Sequence, residues 1–361
     1  MIPLVKVALP DKQELMPALE EVLYSGMIGE GESVSRFEDA FSNMFELDNG
    51  LAFSSGTGAL HAALVLAGVK AGDEVISTSM TAEPTNIAIL HAGGVPVFAD
   101  VDLKSGNISP DSIAERITPR TKAIMVVHYA GIPARMKEIV ALADLHNIPV
   151  IEDCAHALGA RYGEASIGSL GEFSIFSFQA IKHMTTVDGG FLRMKNPAHL
   201  SKAKKFRWFG LEKGVPREQV DITEVGYKYN MHNVAATIGL TQLRSIQDRL
   251  TVHKENGRYF DREIAGISGL GVPEFDQQAD PSYWLYTVFS DDAKEIEKKL
   301  AAIGVAASKL HRPNHLHSIF KSCDGELKNL DEYYRKMIHI PCGWWVTKEM
   351  REKIVAVLSC G

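Results

Sequence analysis

One lysine stands out by its surroundings. Lys182 lies in Ser177-Phe178-Gln179-Ala180-Ile181-Lys182-His183-Met184-Thr185-Thr186-Val187-Asp188-Gly189-Gly190, where an apolar strand read over Phe173 to Phe178 delivers the amine into a short turn and a glycine pair lets backbone approach. An amine held in this way can condense with a carbonyl to a Schiff base. Upstream, Ile148-Pro149-Val150-Ile151 reads as a short buried strand running into Glu152-Asp153-Cys154-Ala155-His156-Ala157. A carboxylate at the carboxyl end of such a strand points into the crevice where open α/β sheets bind ligands, so Asp153 is placed to hold a cationic ring nitrogen. Taken alone, Asp153 reads more simply as a helix cap. A third string, Ser54-Ser55-Gly56-Thr57-Gly58-Ala59-Leu60, precedes a helical stripe of Leu60, Ala63, Leu64 and Ala67. Ser54 or Ser55 caps that helix, and Gly56 and Gly58 let free amides close on an anion, aided by about half an elementary charge at the helix end. A phosphate fits there, and Ser177 can add a hydroxyl.

An amine, a carboxylate and a phosphate cradle in this order are the parts needed by a fold-type I enzyme of pyridoxal 5'-phosphate (PLP), whose protonated ring is an electron sink. The chain also resembles the DegT/DnrJ/StrS-type aminotransferases, which act mostly on nucleotide-linked keto-sugars. The similarity runs over nearly the whole length, through Ser-Gly-Thr-Gly-Ala-Leu at 55 to 60, Gly-Asp-Glu-Val-Ile at 72 to 76 and Pro-Val-Phe-Ala-Asp-Val-Asp at 96 to 102. It continues in Thr-Lys-Ala-Ile-Met-Val-Val-His-Tyr-Ala-Gly at 121 to 131, Ile-Glu-Asp-Cys-Ala-His-Ala at 151 to 157, the Lys182 segment, and Gly-Tyr-Lys-Tyr-Asn-Met-His-Asn at 226 to 233.

The resemblance implies that Lys182 forms the internal aldimine and shuttles the proton, that Asp153 pairs the pyridinium nitrogen, and that His156 lies beside the ring near its phenolic oxygen. Ser55, Gly56, Thr57 and Ser177 would bind the phosphate. Asn230 would contribute from the neighbouring subunit, implying a homodimer with shared active sites. The implied reaction is a ping-pong transfer of an amino group from glutamate to a keto group of a nucleotide-linked deoxysugar, with Lys182 moving protons on one face of the cofactor. Two positions depart from the family pattern. Where many relatives place an aromatic residue over the ring, this chain has Ala82, which leaves the cover to Met80 or Pro84. Val187 stands where the turn usually has glycine, and it carries strain unless its φ is negative.

These groups need an open sheet beneath them. Strand patterns at Glu74 to Ser77, Val95 to Val101, Lys122 to His128, Pro149 to Glu152, Phe173 to Phe178 and Phe191 to Met194 alternate with helical ones such as Arg135 to His146, the βαβ rhythm of a mainly parallel sheet. The fold class is α/β, with a large PLP-binding domain and N-terminal arm over 1–245 and a smaller C-terminal α/β domain over 246–361. A helix over Val234 to Leu250 leads into the second domain, where Tyr283 to Ser290 reads as a strand, and Ala293 to Ile303 and Lys348 to Leu358 as helices.

The whole-chain numbers bound the function. At 361 residues, 45% hydrophobic and 23% charged, the composition is ordinary for a globular protein. A net charge of −7 argues against nucleic-acid binding, and the basic run Lys202-Ala203-Lys204-Lys205-Phe206-Arg207 reads as a solvated helix face. No apolar run approaches the ~20 residues that span a bilayer, and the apolar start Met1 to Pro10 is too short and interrupted for a signal peptide. A cytoplasmic protein without a membrane partner is expected. Cys154, Cys323, Cys342 and Cys360 show no metal spacing and are expected as thiols. His311-Arg312-Pro313-Asn314-His315-Leu316-His317 lacks the carboxylate or cysteine pair of a metal site and reads as a substrate-side loop, with Arg312 or His317 reaching the donor carboxylate or the nucleotide. No metal is expected.

Four other readings compete. A nicotinamide dehydrogenase lacks its Gly-x-Gly-x-x-Gly after a first strand. A PLP-dependent sugar dehydratase of this type would carry histidine in place of Lys182. An aminocyclitol aminotransferase and a non-catalytic regulatory relative keep the same cofactor site. The sugar, the nucleotide and the choice between C3 and C4 are open at this level, because the loops that read substrate are where such folds vary.

Overall fold

The computed structural model describes residues 1–323 and 325–360. Nine strands precede residue 195: β1 Gly50–Phe53, β2 Glu74–Thr78, β3 Val95–Ala99, β4 Thr121–Val127, β5 Val150–Asp153, β6 Arg161–Tyr162, β7 Ala165–Ser166, β8 Phe173–Ser177 and β9 Gly190–Met194. Seven of them form one sheet in the order β1-β9-β8-β5-β4-β2-β3. The run from β3 to β8 is parallel, and β9 lies antiparallel between β8 and β1. The sheet is covered on both faces, and its central strands are buried at successive positions, not at alternate ones. In β4, Ala123 and Met125 enter one core while Ile124 and Val126 enter the other.

The helix Glu32–Phe45 covers one face with Val34, Phe37, Phe41 and Phe45, all buried at helical spacing. Phe41 alone packs against Phe176, Phe178 and Phe191 with ring centroids 5.5, 5.2 and 4.5 Å away. The other face is filled by the helix Gly56–Leu66, whose small residues Ala59, Ala62 and Ala63 are fully buried. A third core, around Phe260, Tyr286, Leu300, Ile340 and Ile354, joins the helices Ile246–Ile264, Ala293–Ala302 and Lys348–Ser359 to a small sheet. That sheet contains β10 Leu270–Gly271, β12 Tyr286–Ser290 and β13 Met337–Ile340, while β11 Ala279–Asp280 pairs with β6.

Two expected elements differ. The helix read over Val234 to Leu250 is two helices, Asn233–Leu243 and Ile246–Ile264, separated at Ser245 with φ −123° and ψ 4°. No glycine or proline marks the break, and the apolar spacing continues across it. The strand read from Tyr283 begins only at Tyr286, because Tyr283 has a left-handed φ of 46°, which no strand accommodates.

Candidate active site

The site is assembled at the carboxyl edge of the parallel strands. Asp153 ends β5, Ser177 ends β8, and Ser55 follows β1 at the start of the helix Gly56–Leu66. These ends open into a cavity of about 370 Å³ that also receives Thr57, His156 and Lys182. The sequence-read groups therefore meet in one place, apart from those named below.

Backbone geometry makes the anion cradle. Ser55 is extended, and its Oγ accepts the Gly58 N–H at 3.0 Å, leaving the first amides of the helix without intrahelical partners. Gly190 stands opposite Phe53 on one side and Ser177 on the other. A methyl group at Gly190 would lie 2.4 Å from the Ser55 carbonyl oxygen and 2.6 Å from the Gly56 nitrogen. One at Gly56 would come within 3.1 Å of Ser177 Cβ. The glycines thus bring three chain segments close enough to surround a small anion.

Lys182 is half-buried at the cavity wall, and loss of solvation there pushes its amine down to about 7, with Asp153 pulling the other way. Its Nζ sits 4.0 Å from the ring centroid of Trp284. Asp153 is 3% exposed; Oδ2 accepts from Thr85 Oγ1 at 2.8 Å and Oδ1 accepts the Ala155 N–H at 3.1 Å. Burial raises its pKa, while the Thr85 and Ala155 hydrogen bonds oppose the shift. His156 is 2% exposed, and its Nδ1 has no hydrogen-bond partner. Burial holds its pKa well below the usual histidine range, so the ring is neutral.

The carboxylate next door has the opposite fate. Glu152 points to the other side of β5, where its oxygens accept from His128 at 3.1 Å and from the amides of Gly168, Leu170 and Gly171. Burial opposes its charge, but these donors together hold its pKa below the ordinary value. His128, Glu152 and Cys154 bring potential ligand atoms within 4.8 Å of one another. His128 Nδ1 accepts the Ala134 N–H, so Nε2 carries the proton that faces Glu152 and has no lone pair for a cation. This trio is core structure.

Two expectations, those for Arg312 and His317, shift. Arg312 is turned onto its own loop, donating to the Leu316 carbonyl at 3.0 Å, and His317 Nε2 lies 3.6 Å from Glu83. Neither lines the cavity, which instead receives His311, with a buried Nε2 that has no partner and a pKa lowered to about 3 by burial. Asn230 is also outside it, bridged to Phe53 and accepting from Lys228 Nζ at 2.7 Å. Of the two proposed ring covers, Pro84 lines the cavity beside Ala82, whereas Met80 is fully buried with Phe98 and Tyr129. Val187 does take a positive φ, 74°, while 60% exposed. Gln179 lies in the Lys182 string, His311 opens the His311–His317 loop and Thr85 follows Ala82 by three residues, but the sequence gives none of them a site role of its own, and Trp284 sits in no string that marks it.

A family model described as the DegT/DnrJ/EryC1/StrS aminotransferase family matches residues 10–359. The chain belongs to this family. As a DegT/DnrJ/EryC1/StrS protein it is a PLP-dependent aminotransferase of the sugar-modifying type with the fold-type I architecture. It is similar to AtS13 of Actinomadura melliaura, with a TM-score of 0.96 and 35% identity over 100% of this chain and 99% of that one. It superposes equally on the sugar aminotransferase CalS13 of Micromonospora echinospora, at a TM-score of 0.96 and 33% identity over 100% of both chains. The spore coat polysaccharide biosynthesis protein SpsC of Bacillus subtilis is 30% identical over 347 residues, 91% of this chain and 89% of that protein. The residues present fit the family's cofactor. Asp153 is a buried acid with no ion-pair partner among the described residues, His156 has an orphaned ring nitrogen, and the Ser55 to Thr57 cradle excludes any side chain at Gly190.

Proposed function

We propose that this chain moves an amino group from glutamate to a keto group of a nucleotide-linked deoxysugar, working as a cytoplasmic homodimer with the cofactor body in residues 1–245 and the smaller body in 246–361. The observation that carries this reading is the meeting of Lys182, Asp153, His156 and the Ser55–Gly56–Thr57–Ser177 cradle around one cavity. When bound, PLP supplies an electron sink that makes the proton beside a substrate amine acidic.

The chain's own groups do the rest. The amides of Gly56 and Thr57 and the hydroxyls of Ser55 and Ser177 hold the phosphate, and Asp153 offers a negative oxygen to the ring nitrogen. A carboxyl whose charge is disfavoured by burial gains most from a cation delivered beside it. Lys182 Nζ, with an amine near 7, is poised both to accept a proton and to return one at neutral pH. His156 stays neutral and offers a ring nitrogen to the cofactor's oxygen. His311 and Gln179, at the cavity wall, face the substrate side.

Two features support a second copy of the chain. Asn230 stands outside its own cavity, and Met16, Leu23, Tyr24, Met27 and Ile28 are exposed apolar residues on one N-terminal segment.

The test supplies purified protein with PLP, glutamate and a panel of nucleotide-linked keto-sugars, with mass spectrometry of the products. Amino-sugar and 2-oxoglutarate in equal amounts are expected; a protein that loads PLP and converts no panel member sinks the substrate assignment. Hydride reduction followed by peptide mapping should place the cofactor's mass on Lys182, and its appearance on another lysine removes the proposed chemistry. Mixing Lys182→Ala with Asn230→Ala chains should restore activity if Asn230 serves its partner, since one site of each mixed dimer is then intact. Two inactive chains that remain inactive when mixed place Asn230 in its own subunit's site.

A further inference from the structure

Trp284 lies outside the cavity yet touches its two central groups. Its ring stacks on His156 with centroids 4.0 Å apart and planes inclined by 22°, and Lys182 Nζ is 4.0 Å from its centroid. Its Nε1–H donates to the carbonyl of Ile181, the residue before the lysine, at 2.9 Å. One indole therefore fixes the lysine's backbone, the lysine's amine and the histidine ring together.

The backbone that presents Trp284 is strained on both sides of the contact. Tyr283 holds a left-handed φ of 46° and Ala130 one of 56°. Such conformations in residues other than glycine persist only where the surroundings enforce them, and they gather at functional sites. The enforcement is visible. The Tyr283 hydroxyl donates to Asp261 at 2.5 Å, its carbonyl bonds to His253 Nδ1 at 2.9 Å, and its ring fills the space where Gly257 lacks a side chain. Across from it, Ser282 N–H donates to Gly131 and Leu285 N–H to Ala130. Gly131, at φ 91°, has no room for a methyl group, which would sit 2.7 Å from the Trp284 nitrogen and 2.9 Å from the His156 carbonyl oxygen.

We infer that Trp284 is a positioning residue, whose ring face holds the Lys182 ammonium and whose edge and stack fix the orientations of Lys182 and His156. This rests on the reading of Lys182 as the amine that carries the cofactor. The cation-bearing form of a lysine is favoured over an indole face. The other groups that bear on Lys182 are Asp153 from β5, which favours the ammonium, and His156, His183 and His311, all neutral at physiological pH. His183 in turn faces His253 and Arg249. With these in place, removing the ring face leaves the ammonium with Asp153 alone.

The experiment compares full-length wild-type, Trp284→Phe and Trp284→Leu proteins by competitive acylation of Lys182 across pH, read by mass on the peptide containing it, with and without PLP. The titration midpoint of the free amine is expected to fall by about half to one pH unit in Trp284→Leu and by less in Trp284→Phe, which keeps a weaker face. A midpoint that is unchanged or rises in Trp284→Leu overturns the inference, because a purely structural role would admit water and raise it. Trp284→Phe keeps a packed ring and carries the same test if the leucine variant fails to fold: a midpoint equal to wild type is then the overturning result. In turnover, kcat should drop with KM for glutamate nearly constant, partly rescued by phenylalanine; an equal loss in both variants counts against it. If hydride reduction marks Lys182 while its midpoint ignores Trp284, only this inference fails. If the cofactor attaches elsewhere, the functional reading fails while the midpoint still reports on the contact.

Discussion

Lys182 and Asp153 form a pair that the protein has kept apart. No ion pair joins them within 4.0 Å among the described residues, and burial moves each away from its charged form, the amine down and the acid up. A ring bearing a positive nitrogen resolves the acid's difficulty, so Asp153→Asn should act differently in the two states. Without cofactor, the amide should melt no lower than the wild type, since it removes a carboxyl whose charge burial disfavours. With cofactor, the stabilisation on loading should shrink, and kcat/KM should fall roughly 100-fold or more, the scale of a broken buried ion pair. Thermal melts with and without PLP, alongside turnover, check both halves. Lys182, Asp153 and the cradle could be read from the sequence because each ends or closely follows a recognisable strand or starts a capped helix. His311 and Trp284 could not. Trp284 sits in no string that marks it, and the His311–His317 loop reads as substrate-side without saying which member faces inward; charge, visible without geometry, favours Arg312, whereas the fold turns His311 to the cavity.

At the scale of elements, the turn after Lys182 is the weak joint. Val187 holds φ 74° with its side chain largely in solvent, while Thr185 Oγ1 accepts its N–H at 2.9 Å. A left-handed conformation costs a residue with Cβ about 1–2 kcal/mol, part of which glycine returns through its freer unfolded chain. Val187→Gly should therefore stabilise the protein by about 0.5–1 kcal/mol, seen as a higher melting temperature; a decrease would mean that the valine side chain is packed in the working protein. Gly190→Ala has the opposite sign. Its methyl group would meet Ser55 and Gly56 at 2.4 to 2.6 Å, so PLP should be lost on dialysis even where the protein still folds. The strands that carry these turns were legible because Phe173, Ile175 and Phe176, and then Phe191, Leu192 and Met194, make short, strongly apolar clusters of strand length. The break at Ser245 and the late start of β12 were not, since the first keeps the helical spacing and the second follows from long-range contacts to Tyr283.

For the molecule as a whole, acid is the expected stress. Burial lowers His61 and His253 to about 4 and His311 and His339 to about 3. An unfolded chain takes up these protons near the ordinary 6.5, whereas the folded one resists until 4 or below. Stability is thus complete above 6.5 and drains as pH falls toward 4; Asp153 and Asp261, with raised values, work weakly the other way. Melting temperatures should decline steadily between about pH 7 and 4.5, and a flat profile would show that the rings are protonated within the fold. The division of labour between a parallel sheet and its loops was readable at this scale, because alternation of strands and helices fixes where an α/β sheet opens.

The contact between Trp284 and Lys182 has a practical side. The chain contains four tryptophans, and among the described residues Trp284 alone has its ring beside the Lys182 amine. Replacing Trp208, Trp344 and Trp345 by phenylalanine would leave a single emitter beside the cavity, its fluorescence dimming by energy transfer as the chromophore arrives. The protein would then report its own occupancy, without any added dye.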